Sequence, residues 1–297
     1  MSSTVAVCLK TNLADYPVTL AMKDGRVTSS VVRLDCCGPK LAHDAFKAML
    51  RDNAFEAGEL AIVTYLQAKA YGKPFVMLPI PISGRFQHKT IAYNHELGQL
   101  NPKDIEGRQV GVRTYAQTTG VWARGILQHE YGVDLDKVTW LTIEDAHLSE
   151  YRGPSNVQRL PAGSKLKDMM LRGEIAAAIM GNDMPDDARV RTLIPDAAAA
   201  ARQWYQRECV IPINHVFVVR EELSRERPDI VAEIFRMFVE SRALAPETPG
   251  KVLPPIGLDA NRKSLEMAID WSYEQKVIPR RLSVDELFDD ATAALNA

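Results

Sequence analysis

Short apolar runs alternate along this chain with stretches whose apolar residues recur every three or four positions, the pattern of strands alternating with helices. Val5 to Leu9 and Thr28 to Leu34 are predicted strands. Lys40 to Arg51 carries Leu41, Ala45, Phe46 and Met49 at helical spacing, and Glu59 to Val63 (ELAIV) is a third strand. A helix from about Tyr65 to Tyr71 stops at Gly72, a residue suited to a left-handed cap. Phe75 to Pro81 is a proline-bounded buried strand, and Arg85 to Tyr93 (RFQHKTIAY) is another. The chain then restarts with a helix start, a turn and a strand in NPKDIEGRQVGV, followed by a helix opening at Thr118-Thr119. A strand within Gly132 to Ile143, a helix at Leu166 to Arg172, a strand at Glu174 to Met180 and a helix at Ala197 to Gln206 come next. Pro212 to Arg220 (PINHVFVVR) is a strand and Arg227 to Ala243 a long amphipathic helix. Leu265 to Tyr273 and Val284 to Leu295 are helical.

This alternation implies an α/β protein with parallel sheets and helices on both faces. The units join near Tyr93 and again near 182–189, which makes two lobes with a cleft between them. Ligands of open α/β sheets sit outside the carboxyl ends of strands. The polar residues predicted there are Thr64-Tyr65, Arg85 with His88, Arg113 to Thr119, Glu144 to His147 and Asn182-Asp183, while His215 falls inside its strand.

The 297 residues suit one large or two medium domains, and 46% hydrophobic with 25% charged residues is ordinary for a well-cored globular protein. With 36 basic and 38 acidic residues the net charge is −2, and no basic cluster interleaved with aromatics appears, so nucleic-acid and membrane partners are not expected. The N-terminal apolar run of MSSTVAVCLK lacks the h-region of a secretory signal, and the four cysteines show no framework spacing; both point to a reduced, cytoplasmic protein.

QVGVRTYAQTTGVWARGIL (109–127) carries the strongest chemical signal. A strand that feeds a polar turn and a helix start offers free backbone N–H groups and the positive end of a helix dipole. Thr118 and Thr119 add hydroxyls, and Arg113 adds a two-pronged cation suited to a carboxylate. An ordinary Thr-capped β–α turn accounts for the same spacing. In IEDAHLSEY (143–151), Glu144, Asp145, His147 and Glu150 follow a strand directly. Carboxylates beside imidazole can orient it for proton transfer or ligate a divalent metal, and the segment equally suits a solvated acidic loop. His88 alternates with Phe86 and Thr90, as either a satisfied strand histidine or a cleft residue near Arg85. His215 sits beside Asn214 in an apolar strand, where a polar pair is costly unless satisfied. Trp122 reads as core. The phosphate-binding glycine motifs GxGxxG and GxxxxGKS and the GxSxG elbow are absent, so nucleotide chemistry and serine hydrolysis lose their sequence support.

The strings GVRTYAQTTGVWARGILQHEYGVD and VTWLTIEDAHLSEY, with RFQHKTIAY, WYQRECVIPINHVFVVR and MLRDNAFEAGELAIVTYL, are similar to the 4,5-dihydroxyphthalate decarboxylase family over about residues 13 to 245. The resemblance implies a type 2 periplasmic-binding-protein-like fold of two Rossmann-like lobes with a hinged cleft. Lobe one comprises 1–92 plus 190–297, and lobe two 93–189. It also implies decarboxylation of an aromatic ortho-dicarboxylate to protocatechuate and carbon dioxide, without an organic cofactor. For such a reaction the chemistry of the side chains themselves, not the resemblance, makes Arg113, Thr118 and Thr119, with Arg85, His215 and Tyr65, the expected substrate contacts. His147, oriented by Glu144 or Asp145, and His88 are the expected proton-transfer groups. Convergence of His147, His88 and His215 with Glu144 or Asp145 on a divalent metal is left open, as is a homo-oligomer formed through the apolar C-terminal helices. The competing expectation is a non-catalytic solute-binding protein of the same fold that recognises a small carboxylate. Either way, these residues are expected to line one pocket of roughly 300–1,000 Å³.

Overall fold

The computed structural model describes residues 6–181, 183–246 and 252–296; Val5 and Asn182, each named above, lie outside them. The chain opens with β1 (Val7–Asn12), α1 (Leu20–Lys23), β2 (Val32–Cys36), α2 (Phe46–Arg51), β3 (Ala57–Ala61), α3 (Ile62–Ala70) and β4 (Phe75–Gly84). It then runs through β5 (Ile91–Asn94), β6 (Gln109–Val112), α4 (Thr118–Tyr131), β7 (Thr139–Thr142), β8 (Val157–Arg159), α5 (Leu166–Leu171), β9 (Ala177–Ile179) and β10 (Val190–Thr192). Helix α6 (Ala197–Glu208) leads back to β11 (Ile213–Arg220), and α7 (Glu221–Glu226), α8 (Pro228–Ala243), α9 (Leu258–Glu274) and α10 (Asp290–Ala293) follow.

The strands form two sheets, ordered β2-β1-β3-β11-β4 and β10-β5-β9-β6-β7-β8. Both are mixed rather than wholly parallel. In the first sheet β1 runs parallel to β2 and β3, while β11 runs antiparallel to β3 and β4. In the second, β5 runs antiparallel to β9 and β10. The odd strands are those where the chain changes lobe: β5 enters the second sheet, and β11 re-enters the first from the opposite direction. The sheets also move the expected lobe boundaries. Residues 91–92 and 190–192 pair in the second sheet, so the crossings lie between β4 and β5 and between β10 and β11.

Apolar residues fill both faces of the first sheet. One face, with Leu9, Val76, Leu78 and Phe217, packs on Ile230, Ile234 and Phe238 of α8. The other joins a cluster that runs through Leu60, Leu66, Val112, Trp122, Ile126 and Trp271 and so spans both lobes. Helix α9 and the residues just after it form one link between the lobes. Gln67 of α3 donates to Val277 O at 3.0 Å, and Gln275 just past α9 donates to Val121 O of α4 at 2.9 Å. Gly125 lets α4 approach α9, since a Cβ there would lie 2.0 Å from Trp271 Cε3.

Two local differences from the sequence pattern reposition side chains. ELAIV is not one strand: β3 ends at Ala61 and α3 begins at Ile62. Every residue from Ile62 to Ala68 is buried, so apolar periodicity cannot separate strand from helix there. RFQHKTIAY is a turn through residue 90 and a strand only from Ile91, because β4 runs on to Gly84 and the chain changes lobes at Arg85. Among the described residues, no helix is long and apolar enough to cross a membrane.

Candidate active site

Helix α3 follows β3 without a loop, and α4 follows β6 after the turn 113–117, so each lobe presents a helix N-terminus beyond its strand ends. The two N-termini meet: the Val63 N–H donates to Thr118 Oγ1 at 3.2 Å. Thr118 and Thr119 are both only 4% exposed, which places the lobes in contact here. Arg85 reaches the same helix start and donates from Nη2 to Thr119 Oγ1 at 3.3 Å. Its Nε is buried without a partner among the described residues, and burial lowers its pKa, with Asp183 opposing. Gly181 lies alongside, where a Cβ would sit 3.5 Å from Arg85 Nη2 and 3.7 Å from Thr119 Cγ2. Two facing dipole ends and a half-buried guanidinium make this spot favourable for anionic groups.

The Arg113 carbonyl accepts from the N–H groups of Ile143 and Glu144, which fastens the 143–151 loop beside the α4 turn. Arg113 Nε lies 3.7 Å from Glu144 Oε2. Asp145 pairs with Arg159 at 3.3 Å and is largely solvent-exposed. Neither carboxylate orients His147, contrary to the expectation above, because both are drawn to guanidinium groups. Thr64 takes that place, with its Oγ1 2.9 Å from His147 Nδ1. Arg51 of α2 donates to the carbonyls of His147 and Ala146 at 2.8 and 2.9 Å, so lobe one grips this lobe-two loop by its backbone. Burial, followed by repulsion from Arg113, Lys47, His43 and Arg51, pushes the His147 pKa down to about 3, and the ring is neutral near pH 7.

His215 stands on β11 opposite Ala61 of β3. Its Nδ1 lies 2.9 Å from Oε1 of Glu59, a fully buried carboxylate. The Tyr16 hydroxyl donates to the same oxygen at 2.9 Å, and the Ala14 N–H donates to Oε2 at 3.3 Å. Burial and the neighbouring Glu59 raise the Tyr16 pKa well above its usual value, so it remains a donor. The Phe46 ring meets both imidazoles edge-on, at 5.4 Å from His147 and 5.7 Å from His215. His43 completes the group; burial and then Arg113 lower its pKa.

Two expected site residues lie elsewhere. Tyr65 is fully buried and donates to Leu287 O at 2.5 Å. Because α3 starts at Ile62, Thr64 and Tyr65 are consecutive helical positions that point about 100° apart; Thr64 faces the cleft and Tyr65 the core. His88 is 2% exposed and packs edge-on against Trp204 at 5.8 Å, with its Nδ1 buried and unpartnered among the described residues. Burial and Arg207 lower its pKa to about 4. Its ring touches Trp204, whereas His147 touches Thr64 and Phe46, so the two imidazoles share none of these partners. Trp122 is core, donating to Ile213 O at 2.9 Å. The metal-site convergence of His147, His88 and His215 with Glu144 or Asp145 is not seen: among the described residues no three His, Cys, Asp or Glu side chains converge as a metal site. Val63 and Thr118 touch between the two helix starts that the expected common pocket was to separate. A small recess of about 190 Å³ lies elsewhere, lined by Tyr115, Gln128, Asp134 and Lys276 among others.

The residues missed as site candidates, Tyr16, His43, Phe46, Arg51 and Glu59, lie in lobe one before α3. Only Glu59 carries a sequence signal, a lone carboxylate in an apolar run whose burial demands partners.

No protein-family model matches the chain. It is 29% identical over 216 residues to a 4,5-dihydroxyphthalate decarboxylase of Comamonas testosteroni; the match covers 68% of this chain and 65% of that protein, slightly under two thirds of its length. It is 27% identical over 176 residues to a 4,5-dihydroxyphthalate decarboxylase of Pseudomonas putida, covering 55% and 68%. Among solved structures, the alkanesulfonate-binding protein SsuA of Xanthomonas axonopodis pv. citri superposes with a TM-score of 0.59 at 11% identity, covering 97% of this chain and 99% of that one. The periplasmic aliphatic sulphonate-binding protein SsuA of Escherichia coli gives 0.60 at 11%, covering 95% and 92%. A cysteine-to-serine mutant of the desulfurization enzyme DSZB, in complex with biphenyl-2-sulfinic acid, gives 0.57 at 13%, covering 97% and 98%. The chain is thus a relative of the 4,5-dihydroxyphthalate decarboxylases, built on the type 2 periplasmic-binding-protein-like fold.

Proposed function

We propose that this protein is a carboxy-lyase that converts 4,5-dihydroxyphthalate, or a close aromatic ortho-dicarboxylate, to protocatechuate and carbon dioxide in cytoplasmic aromatic degradation. The observation that carries the proposal is the meeting of two helix N-termini, Arg113 and Arg85 with a neutral, positioned imidazole at His147. The named relatives supply the substrate class, and the desulfurization enzyme is a case of chemistry on this fold. Arg113, Arg85 and the Thr118-Thr119 helix start hold the two carboxylates when the lobes part to admit the substrate.

Each carboxylate of this substrate is para to a hydroxyl. Loss of a phenolic proton sends electron density to the ring carbon bearing the departing carboxylate. That carbon takes up a proton, the bond to the carboxylate breaks, its electron pair returns to the ring and carbon dioxide leaves. The dianion plus one proton gives the product monoanion and carbon dioxide, with the ring as its own electron sink. His147 supplies the carbon-bound proton. The same cations that keep it unprotonated are countered by the substrate's two negative charges, so the proton binds together with the substrate. Replacing His147 with Gln is expected to lower kcat about 10²–10⁴-fold with KM largely kept. Near-normal turnover by a folded variant would remove His147 from the mechanism. Tight binding of the dianion by the native protein with no product would instead identify a solute-binding protein.

A further inference from the structure

We infer that the Glu59–His215 pair is the catalytic base, with His215 Nε2 accepting the phenolic proton and Glu59 acting as its positioning residue. The inference rests on the decarboxylase reading above and assigns the one role that reading leaves unfilled.

Three observations carry it. First, Glu59 is fully buried in the central strand β3, yet three donors converge on its two oxygens: His215 Nδ1, the Tyr16 hydroxyl and the Ala14 N–H. A carboxylate accepts hydrogen bonds and donates none, so Nδ1 carries the imidazole hydrogen and the lone pair falls on Nε2. This is the tautomer a carboxylate imposes on a general-base histidine, and the same carboxylate stabilises the imidazolium once the proton arrives. Second, the pair is not packed away from the other imidazole. Phe46 lies edge-on to both His215 and His147, so the two rings share one aromatic neighbour at the cleft. Third, the two histidines sit in opposite electrostatic settings. His147 is bonded to a neutral hydroxyl and ringed by cations, and His215 to a carboxylate. Paired titratable groups in contrasting environments divide acid and base roles. In the proposed step the phenolic proton moves to His215 Nε2, His147 protonates the ring carbon, and the His215 imidazolium returns its proton to the product oxygen after carbon dioxide has left. The titratable groups that face His215 are Glu59 from β3, Tyr16 from the loop after β1, and His43 from the turn before α2, the last under the influence of Arg113.

The test is the pH dependence of 4,5-dihydroxyphthalate turnover by native protein, Glu59→Gln and His215→Ala. The base assignment expects Glu59→Gln to lose about 10²–10³-fold in kcat near neutral pH with KM nearly unchanged. Its rate should then climb towards the native value as pH approaches the catechol's own ionisation, where no base is required. For His215→Ala, added imidazole should restore part of the rate. A loss by the same factor at every pH, or kinetics indistinguishable from native, would overturn the inference while leaving the decarboxylase reading intact. If Glu59→Gln does not fold, His215→Ala decides alone: restoration by imidazole supports the base assignment, and no restoration overturns it. Absence of turnover by the native protein would defeat the decarboxylase reading and this inference together.

Discussion

His88 gives a quantitative prediction for stability in acid. It is 2% exposed, its ring packs on Trp204, and its pKa falls from 6.5 to about 4 through burial and the Arg207 charge. The native state therefore resists a proton that the unfolded chain accepts. The stability associated with neutral His88 is fully present above about pH 6.5 and is lost as pH falls from there towards about 4. At about pH 5 the unfolded chain is mostly protonated at this position and the native state is not, which costs about 2 kcal/mol relative to about pH 7.5. His147, lowered to about 3, adds a loss of the same sign and similar size. Replacing His88 with Leu removes its contribution and leaves that of His147. Urea unfolding at the two pH values should show the variant losing about 2 kcal/mol less than the native protein on acidification, with m-values unchanged. An equal loss in both proteins would refute the proposed burial of a neutral His88.

Three further outcomes follow from particular contacts. Gly125→Ala places a methyl 2.0 Å from the Trp271 ring, so thermal unfolding should report a loss of about 1–3 kcal/mol or more as α9 is pushed from α4. Tyr65→Phe leaves the Leu287 carbonyl without its buried donor and should cost about 1–3 kcal/mol in chemical denaturation. Its steady-state kinetics should be unchanged, and a raised KM would return Tyr65 to the substrate contacts. Arg113→Lys should raise KM for the dianion about tenfold with kcat nearly kept, because an ammonium cannot copy a planar two-pronged contact; unchanged kinetics would reduce Arg113 to the partner of Glu144.

Periodicity and strand-end reasoning recover the two-sheet α/β plan and single out the 109–127 turn, since a strand, a polar turn and a helix start are local features. Side-chain direction and distant partners are less legible. The sequence pattern starts α3 at about Tyr65 and the structure starts it at Ile62, which turns Thr64 rather than Tyr65 to the cleft, and a wholly buried segment gives no polar face to mark that start. Glu144 and Asp145 stand next to His147 in sequence and look like its orienting groups, yet Arg113 and Arg159 capture them from neighbouring strand ends. The group that does touch His147 Nδ1 is 83 residues away in the chain, and Glu59 is 156 residues from His215. Pairings of that kind depend on how the crossings between β4 and β5 and between β10 and β11 bring the lobes together. The sequence pattern places both crossings several residues away from where the sheets put them.

The central claim is that this cleft breaks a carbon–carboxylate bond rather than only holding an anion. It is tested most directly by incubating the protein with 4,5-dihydroxyphthalate and following protocatechuate and carbon dioxide together. The account predicts the two products in equal amounts, with turnover abolished or strongly reduced in His147→Gln. Saturable binding of the dianion to the native protein with neither product formed would contradict it.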